Sequence, residues 1–261
     1  MGRILRQSSA PLPKTQPAHH NSPQTLERHP MILETLKYAK YYNGVLWKNW
    51  TKTQTSYAQH GEDLLVESLL GKVNSFIDVG ANDGALFSNT YRFAKTGAKG
   101  ICIEPSRSCF LKLKLNHLFH FHTKCLQLAV SDKEGTTYLT EEGYENVLSV
   151  VSTDNSLNNY PVKTTSLFAL LERYPQFKDA DLVSIDVEGH EEQVIVGAGN
   201  SLWNSKLIIL EVDKSNLEKM LSLPALQNHY PAYSNGINLI LLNKQERQKK
   251  PSFLPEGFYQ C

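Results

Sequence analysis

Five short, almost unbroken apolar runs set the tightest limit on how this chain can fold: SFIDVG (75–80), GICIEP (100–105), KCLQLAVS (124–131), DLVSIDV (181–187) and KLIILEV (206–212). Strands buried on both faces of a parallel sheet read this way, whereas half-solvated strands alternate. Helical patterns separate most of the runs: LFSNTYRFAKT (86–96), SCFLKLKLNH (108–117) and EEQVIVGAGNSLW (191–203). Strands alternating with helices predict an α/β fold with a doubly wound, mostly parallel sheet. GTTYLT (135–140) and VLSVV (147–151) predict a small β insertion after the third strand, and a strand-like PVKTTS precedes the helix LFALLERY. INLILLN (237–243) is a clear C-terminal strand. No penultimate strand stands out between Leu221 and Gly236.

The flanks differ in composition. Residues 1–30 are rich in Pro, Gln, Ser and His and predict a disordered tail, because they bury too little to offset ordering entropy. Residues 31–55 read as a helical, aromatic extension: MILETLKYAKYY has helical spacing, Asn43-Gly44 should stop that helix, and Trp47 and Trp50 follow. The main domain spans 56–245. It opens with the helix SYAQHGEDLLVESLLG, whose Leu64, Leu65, Leu69 and Leu70 should face a core. Residues 246–261 read as a polar tail.

Charge and cysteines bound the partners. Lys plus Arg number 27 and Asp plus Glu 26, so the basic excess of a nucleic-acid binder is missing. No apolar run approaches the ~18 residues of a transmembrane segment. MGRILRQ has no apolar stretch behind it, which argues against a signal peptide. Four cysteines without a C-x-x-C pair suit a reducing, cytoplasmic setting. The aromatic and lysine-rich 38–50 fits either packing on the domain or peripheral contact with a membrane interface. NHLFHFHTKC resembles zinc spacing, but a helix end followed by a strand would point its ligands apart, so a structural role is expected. Nothing in the sequence fixes an oligomeric state.

The first strand runs into FIDVGANDG (76–84), which has Gly80 and Gly84 but Asn82 where a dinucleotide fingerprint has its middle glycine. Asp78, Asp83 and Glu104 converge on the same sheet edge. Pyrophosphate there would meet like charge. S-adenosylmethionine, with a sulfonium, an ammonium and one carboxylate, suits the acids, and glycines let backbone approach it. Glu104 stands 20 residues past Gly84, where an acid in such sheets holds ribose hydroxyls.

QHGED (59–63), FIDVGANDG (76–84), IEP (103–105), AVSD (129–132) and IDVEGHE (185–191), with GAG at 197–199, together resemble the FkbM family of S-adenosylmethionine-dependent methyltransferases. The resemblance spans about 56–213 and implies a Rossmann-like class I methyltransferase fold. It also implies O-methylation of a hydroxyl, commonly on a sugar of a glycan or glycolipid or on a natural product. By the resemblance, Asp78, Gly80, Asn82 and Gly84 line the methionyl side and Glu104 holds the ribose. Ser131 or Asp132 sits near adenine, and Glu62 and Asp63 lie near the site's mouth. One departure is TTSLFALL (164–171), where Phe168 and Ala169 replace acids found in many relatives, which puts that helix start in doubt.

Asp186, Glu188 and His190 in IDVEGHEE are the candidate catalytic residues. If the strand persists, i and i+2 residues share a face. His190 then suits a base for the acceptor's proton, and Asp186 could orient the acceptor or the sulfonium. A plain turn into a helix, or a divalent-metal site, are the alternatives. Two rival functions are a non-catalytic binding module on the same fold and a nicotinamide-dependent oxidoreductase. The intact Gly80, Gly84 and Glu104 oppose the first, and Asn82 and Asp83 the second.

Overall fold

The computed structural model describes residues 42–141, 149–152, 159–212 and 215–261. The predicted tail 1–30 and nearly all of the 31–42 helix lie outside the described residues. Residues Val45–Cys261 form one compact unit.

The main sheet has eight strands: β1 (Ser75–Val79), β2 (Lys99–Ile103), β3 (Thr123–Leu126), β8 (Leu182–Ile185), β9 (Leu207–Glu211), β10 (His229–Ser234), β11 (Asn238–Asn243) and β12 (Tyr259–Gln260). Their order is β12-β10-β11-β9-β8-β1-β2-β3. β3, β2, β1, β8 and β9 run parallel, and β11 is antiparallel to β9 and β10. A smaller sheet joins β4 (Ala129–Ser131), β7 (Asn159–Ser166), β5 (Gly135–Glu141) and β6 (Ser149–Ser152), in that order.

Side-chain alternation explains the unbroken apolar runs. Ile77, Val79, Ile101, Ile103, Val183 and Ile185 pack on one face, against Leu167, Leu170 and Leu171 of α5 (Leu167–Arg173) and Val194 and Ile195 of α6 (Glu191–Ala198). Phe76, Cys102, Leu182 and Ile209 pack on the other face. There they meet Leu65, Val66 and Leu69 of α2 (Glu62–Leu70), Phe93 of α3 (Tyr91–Lys95) and Leu113 of α4 (Arg107–Asn116). Both faces are covered, as a doubly wound sheet requires. From β1 the chain steps outward through β2 to β3, then returns to β8 on the other side of β1. The crevice at that reversal, outside the carboxyl ends of the strands, is where such sheets bind ligands.

Several expectations change. Residues 42–51 are helical (α1), so Asn43-Gly44 does not stop a helix there. Asn49 Nδ2 donates to Asn116 Oδ1 (3.1 Å) and Trp50 Nε1 to Leu115 O (3.1 Å), while Trp47 stays 67 % exposed. The helix expected over 86–96 shrinks to α3, because residues 83–90 spend their hydrogen bonds on turns. Asp83 Oδ1 accepts from Ala85 N and Leu86 N (both 2.8 Å), Phe87 has φ +57°, and Ser88 Oγ accepts from Tyr91 N (3.0 Å). The third run splits into β3 and β4, which belong to different sheets. The unplaced penultimate strand is β10. In the expected C-terminal tail, β12 extends the sheet edge and Phe258 is buried. The doubtful start of α5 is capped after all, with Ser166 Oγ accepting from Ala169 N (3.1 Å). Of the helical leucines near the N-terminus, Leu65 and Leu69 are buried, whereas Leu64 and Leu70 are half-buried. Among the described residues no helix is long and apolar enough to cross a membrane.

Candidate active site

The turn after β1 lies at the sheet's point of reversal. Gly80 has φ +85°, and a Cβ there would overlap the carbonyl oxygen of Asp186, so neither the dihedral nor the space admits a side chain. The N–H groups of Gly80 and Ala81 both donate to Ile103 O (3.0 Å), which folds the turn toward the end of β2. There Glu104, 6 % exposed, uses both carboxylate oxygens: Oε2 accepts from Asn82 N (2.9 Å) and Oε1 from Ser106 N (2.8 Å). Asn82, at φ +48°, is thereby held in the left-handed region. Gly84 has a packing reason instead. A Cβ there would strike Leu113 and come within 2.9 Å of His117 Nε2 on the side of α4. Asp83, expected at a helix start, points its carboxylate into its own turn.

Beneath this turn four carboxylates gather. Asp78 ends its buried run on β1 and accepts from Thr90 Oγ1 (2.6 Å); burial pushes its carboxyl up to about 6. Asp186 follows β8 directly and donates its N–H to Val79 O (3.0 Å). Glu211 ends β9. The β8–β9 register, Ile185 opposite Leu210, makes Asp186 and Glu211 neighbours across the strands. Burial, then the hydrogen bond and charge of Glu211, then the charges of Glu188 and Asp78, push Asp186 up to about 8. Glu188 is raised too, by burial and then by Glu211 and Glu191. Among the described residues no basic side chain forms an ion pair with any of the four.

Glu188 and Glu211 also line a cleft of about 560 Å³ with Glu191, Glu192, Gln193 and Asn216. Among the described residues no lysine or arginine is in its lining, although Lys219 Nζ pairs with Glu192 Oε2 (2.6 Å). Gln193 Oε1 is sealed from solvent there and has no donor among the described residues.

The three candidates of IDVEGHEE part company. The strand ends at Ile185, Glu188 has φ +54°, and the i, i+2 argument no longer applies. Glu191 holds the loop, its Oε1 accepting from Val187 N and Gly189 N (both 3.1 Å). His190 turns away from the carboxylates: its Nε2 lies 3.0 Å from Ser131 Oγ, which donates to Asp132 Oδ1 (3.1 Å). Burial lowers the His190 pKa, against the opposing charges of Asp132 and Glu191. The structure thus joins His190 to the two residues expected near adenine. Gly197 of α6 fits beneath them, since a Cβ would overlap Ser131 O.

Glu62 is 1 % exposed at the start of α2. Oε2 accepts from His60 N (2.9 Å), and Oε1 from the side-chain amides of Asn235 (3.2 Å) and Asn238 (2.7 Å) in the β10–β11 hairpin. Asn238 is the register partner of Glu211, so Glu62 stands behind the carboxylate cluster. Asp63 is also internal, accepting from Ser56 Oγ (2.5 Å) and Tyr57 N (2.9 Å). Glu211 itself went unread in the sequence. Its one signal is an acid closing an apolar run, and the strand order is needed to put it beside Asp186.

Two histidines of the histidine-rich segment, His117 and His120, pack inward, while His122 is exposed. The Nδ1 atoms of His117 and His120 lie 3.0 Å apart, both rings stand edge-on to Tyr91, and burial lowers His117 to about 3. Among the described residues no three His, Cys, Asp or Glu side chains are grouped to hold a metal ion.

The Methyltransferase FkbM domain matches residues 78–230, which include the glycine turn, Glu104, the carboxylate cluster and His190. The chain belongs to the FkbM methyltransferase family. Among solved structures it is similar to a methyltransferase FkbM from Methylobacillus flagellatus KT, at 11% identity and a TM-score of 0.44, over 65% of this chain and 43% of that one. It therefore spans less than half the length of that FkbM protein. An O-methyltransferase from Bacillus cereus, solved in complex with SAH, is similar at 10% identity and a TM-score of 0.40, over 80% of this chain and 91% of that one. A putative caffeoyl-CoA O-methyltransferase from Staphylococcus aureus gives 11%, 0.41, 82% and 97%. No curated protein matches the chain.

Proposed function

We propose that this FkbM-family protein transfers a methyl group from S-adenosylmethionine to a hydroxyl of a sugar or another small polyhydroxyl molecule. The observation that carries the reading is the carboxylate cluster beneath the Gly80 turn, which pairs with no basic side chain among the described residues. Asp78 is buried and Asp186 and Glu211 are half-buried; acids so placed without cations are costly, and a cationic cofactor at that edge relieves the cost. A nicotinamide dinucleotide would add phosphate charge to the same place.

The residues fit such a cofactor. Gly80 leaves a cradle that a Cβ would fill. Asp78 and Asp186, on adjacent strands, suit the positive groups, and Glu104 suits the ribose hydroxyls. Asn82 shapes the turn, while Ser131, Asp132 and His190 form the far wall on the adenine side. When bound, the cofactor supplies an activated methyl group, so the protein's main task is alignment of the acceptor oxygen. Glu188, Glu211 and Asn216 offer acceptors for hydroxyl protons in the cleft, and its acidic lining disfavours phosphorylated or carboxylated acceptors. Glu62 acts here as a support behind the cluster.

Calorimetric titration with S-adenosylhomocysteine and NAD tests the reading. We expect micromolar binding of the first, about −8 kcal/mol, and none of the second. Glu104→Ala should weaken the first by about 1.5–3 kcal/mol, through lost hydrogen bonds to a charged group. Unchanged affinity in that variant sinks the ribose assignment.

A further inference from the structure

Glu211 stands between the cofactor turn and the cleft by way of one neighbour. Asp186 touches the turn, because its carbonyl oxygen occupies the space above Gly80. Glu211 touches the cleft. The two carboxyls are neighbours just past the last register pair of β8 and β9, and two like charges side by side are relieved by holding one proton between them. We infer that the Asp186–Glu211 pair keeps this proton until a positively charged sulfonium is bound, gives it up to solvent then, and so becomes the base that takes the acceptor's hydroxyl proton.

The inference rests on the function proposed above and deepens it. The groups facing the pair come from every neighbouring element: Asp78 from β1, Glu188 from the loop after β8, and Asn238 from β11 with Glu62 behind it. Among the described residues all the charged ones are acids, so the resting pair has reason to hold a proton, and the raised Asp186 carboxyl agrees. A cation within a few ångströms reverses that preference. Proton balance then closes over one turnover. The acceptor oxygen gains the methyl, the electron pair of the broken C–S bond stays on sulfur, and the hydroxyl proton passes to Glu211. The site loses one positive and one negative charge together, and the pair returns to its resting state. His190, hydrogen-bonded to Ser131, takes no part.

Proton release on binding reads this out without an acceptor. Titrating the full chain at pH 7 with S-adenosylmethionine and with S-adenosylhomocysteine, in buffers of different ionisation enthalpy, gives the protons released by each. We expect the cationic ligand to release about one proton more, as linkage requires of a group driven from mostly protonated to ionised. Glu211→Gln and Asp186→Asn, which keep shape and hydrogen bonding, should each erase most of that difference while still binding the neutral ligand. Equal proton release by the two ligands in the wild-type chain would overturn the proposal, and so would a difference that survives both substitutions. If neither ligand binds at all, the methyltransferase reading of the site fails, and the proposal falls with it.

Discussion

Asp186 carries the largest electrostatic conflict in the site, and this gives a stability prediction. In the unfolded chain its pKa is near the ordinary 3.8; in the fold it rises to about 8. The folded state therefore binds more protons between those values, and stability from this group is present below about pH 4 and lost as pH rises through about 8. Asp186→Asn should raise the melting temperature of the ligand-free protein at pH 9 by several degrees, at roughly 2–4 °C per kcal/mol for a domain of this size. At pH 5 the gain should be smaller. A loss at pH 9 would show that the carboxylate is better compensated than its surroundings suggest. At this scale the grouping of Gly80, Asn82 and Glu104 at one sheet edge was legible from sequence: the turn after β1 folds onto the end of β2, where Glu104 accepts from Asn82 N. Gly84 was expected on the methionyl side, and its packing against Leu113 and His117 was not legible, since contact with α4 and contact with a ligand both demand a glycine. The contact of His190 with Ser131 could not be read from the sequence, because the two are 59 positions apart.

Beyond their shared apolar core, the hairpin β10–β11 and helix α2 are tied together by the buried side chain of Glu62. Glu62 gathers His60 N and the amides of Asn235 and Asn238, and Asn235 Oδ1 in turn accepts from Ile237 N (3.0 Å) and Asn238 N (2.7 Å). Glu62→Ala would leave several buried donors unmet and should destabilise by about 3 kcal/mol or more. Thermal melting should fall accordingly, and Glu62→Gln should recover part of the loss by keeping the acceptor oxygen. Equal melting of Glu62→Ala and wild type would mean that the hairpin holds without it. The elements that the sequence concealed have local causes. Strand β10, HYPAYS, carries a proline and a register shift between Pro231 and Tyr233, so it has neither an apolar run nor clean alternation. The split of the third run at Gln127 is invisible because both halves remain apolar while changing sheets. The inner strands β1, β2, β8 and β9 were readable because burial on both faces leaves a signature independent of partners.

Across the whole molecule, the C-terminal segment acts as a strap rather than a tail. Ser68 Oγ donates to Phe253 O (2.9 Å), Pro255 lies over Gly61, Phe258 joins the core beside α2, and β12 pairs with β10. Removing residues 251–261 should cost about 2–4 kcal/mol in lost burial of Phe258 and Pro255, to be checked by denaturant unfolding with an unchanged slope per residue retained. An unaltered midpoint would show that the strap is passive.

The reversal of strand order also has a consequence in time. The two halves of the ligand crevice come from β1 and β8, and the hydrogen bond from Asn74 to Asp181 beside them joins positions 107 apart. Pairing across so long a loop is slow relative to local helix formation. On a ribosome, the glycine turn would emerge and wait, with its acids exposed, until β8 and β9 arrive to complete the crevice. Any ligand of the crevice would then bind only at the last stage of folding, and a nascent chain halted before β8 would have the motif but no site.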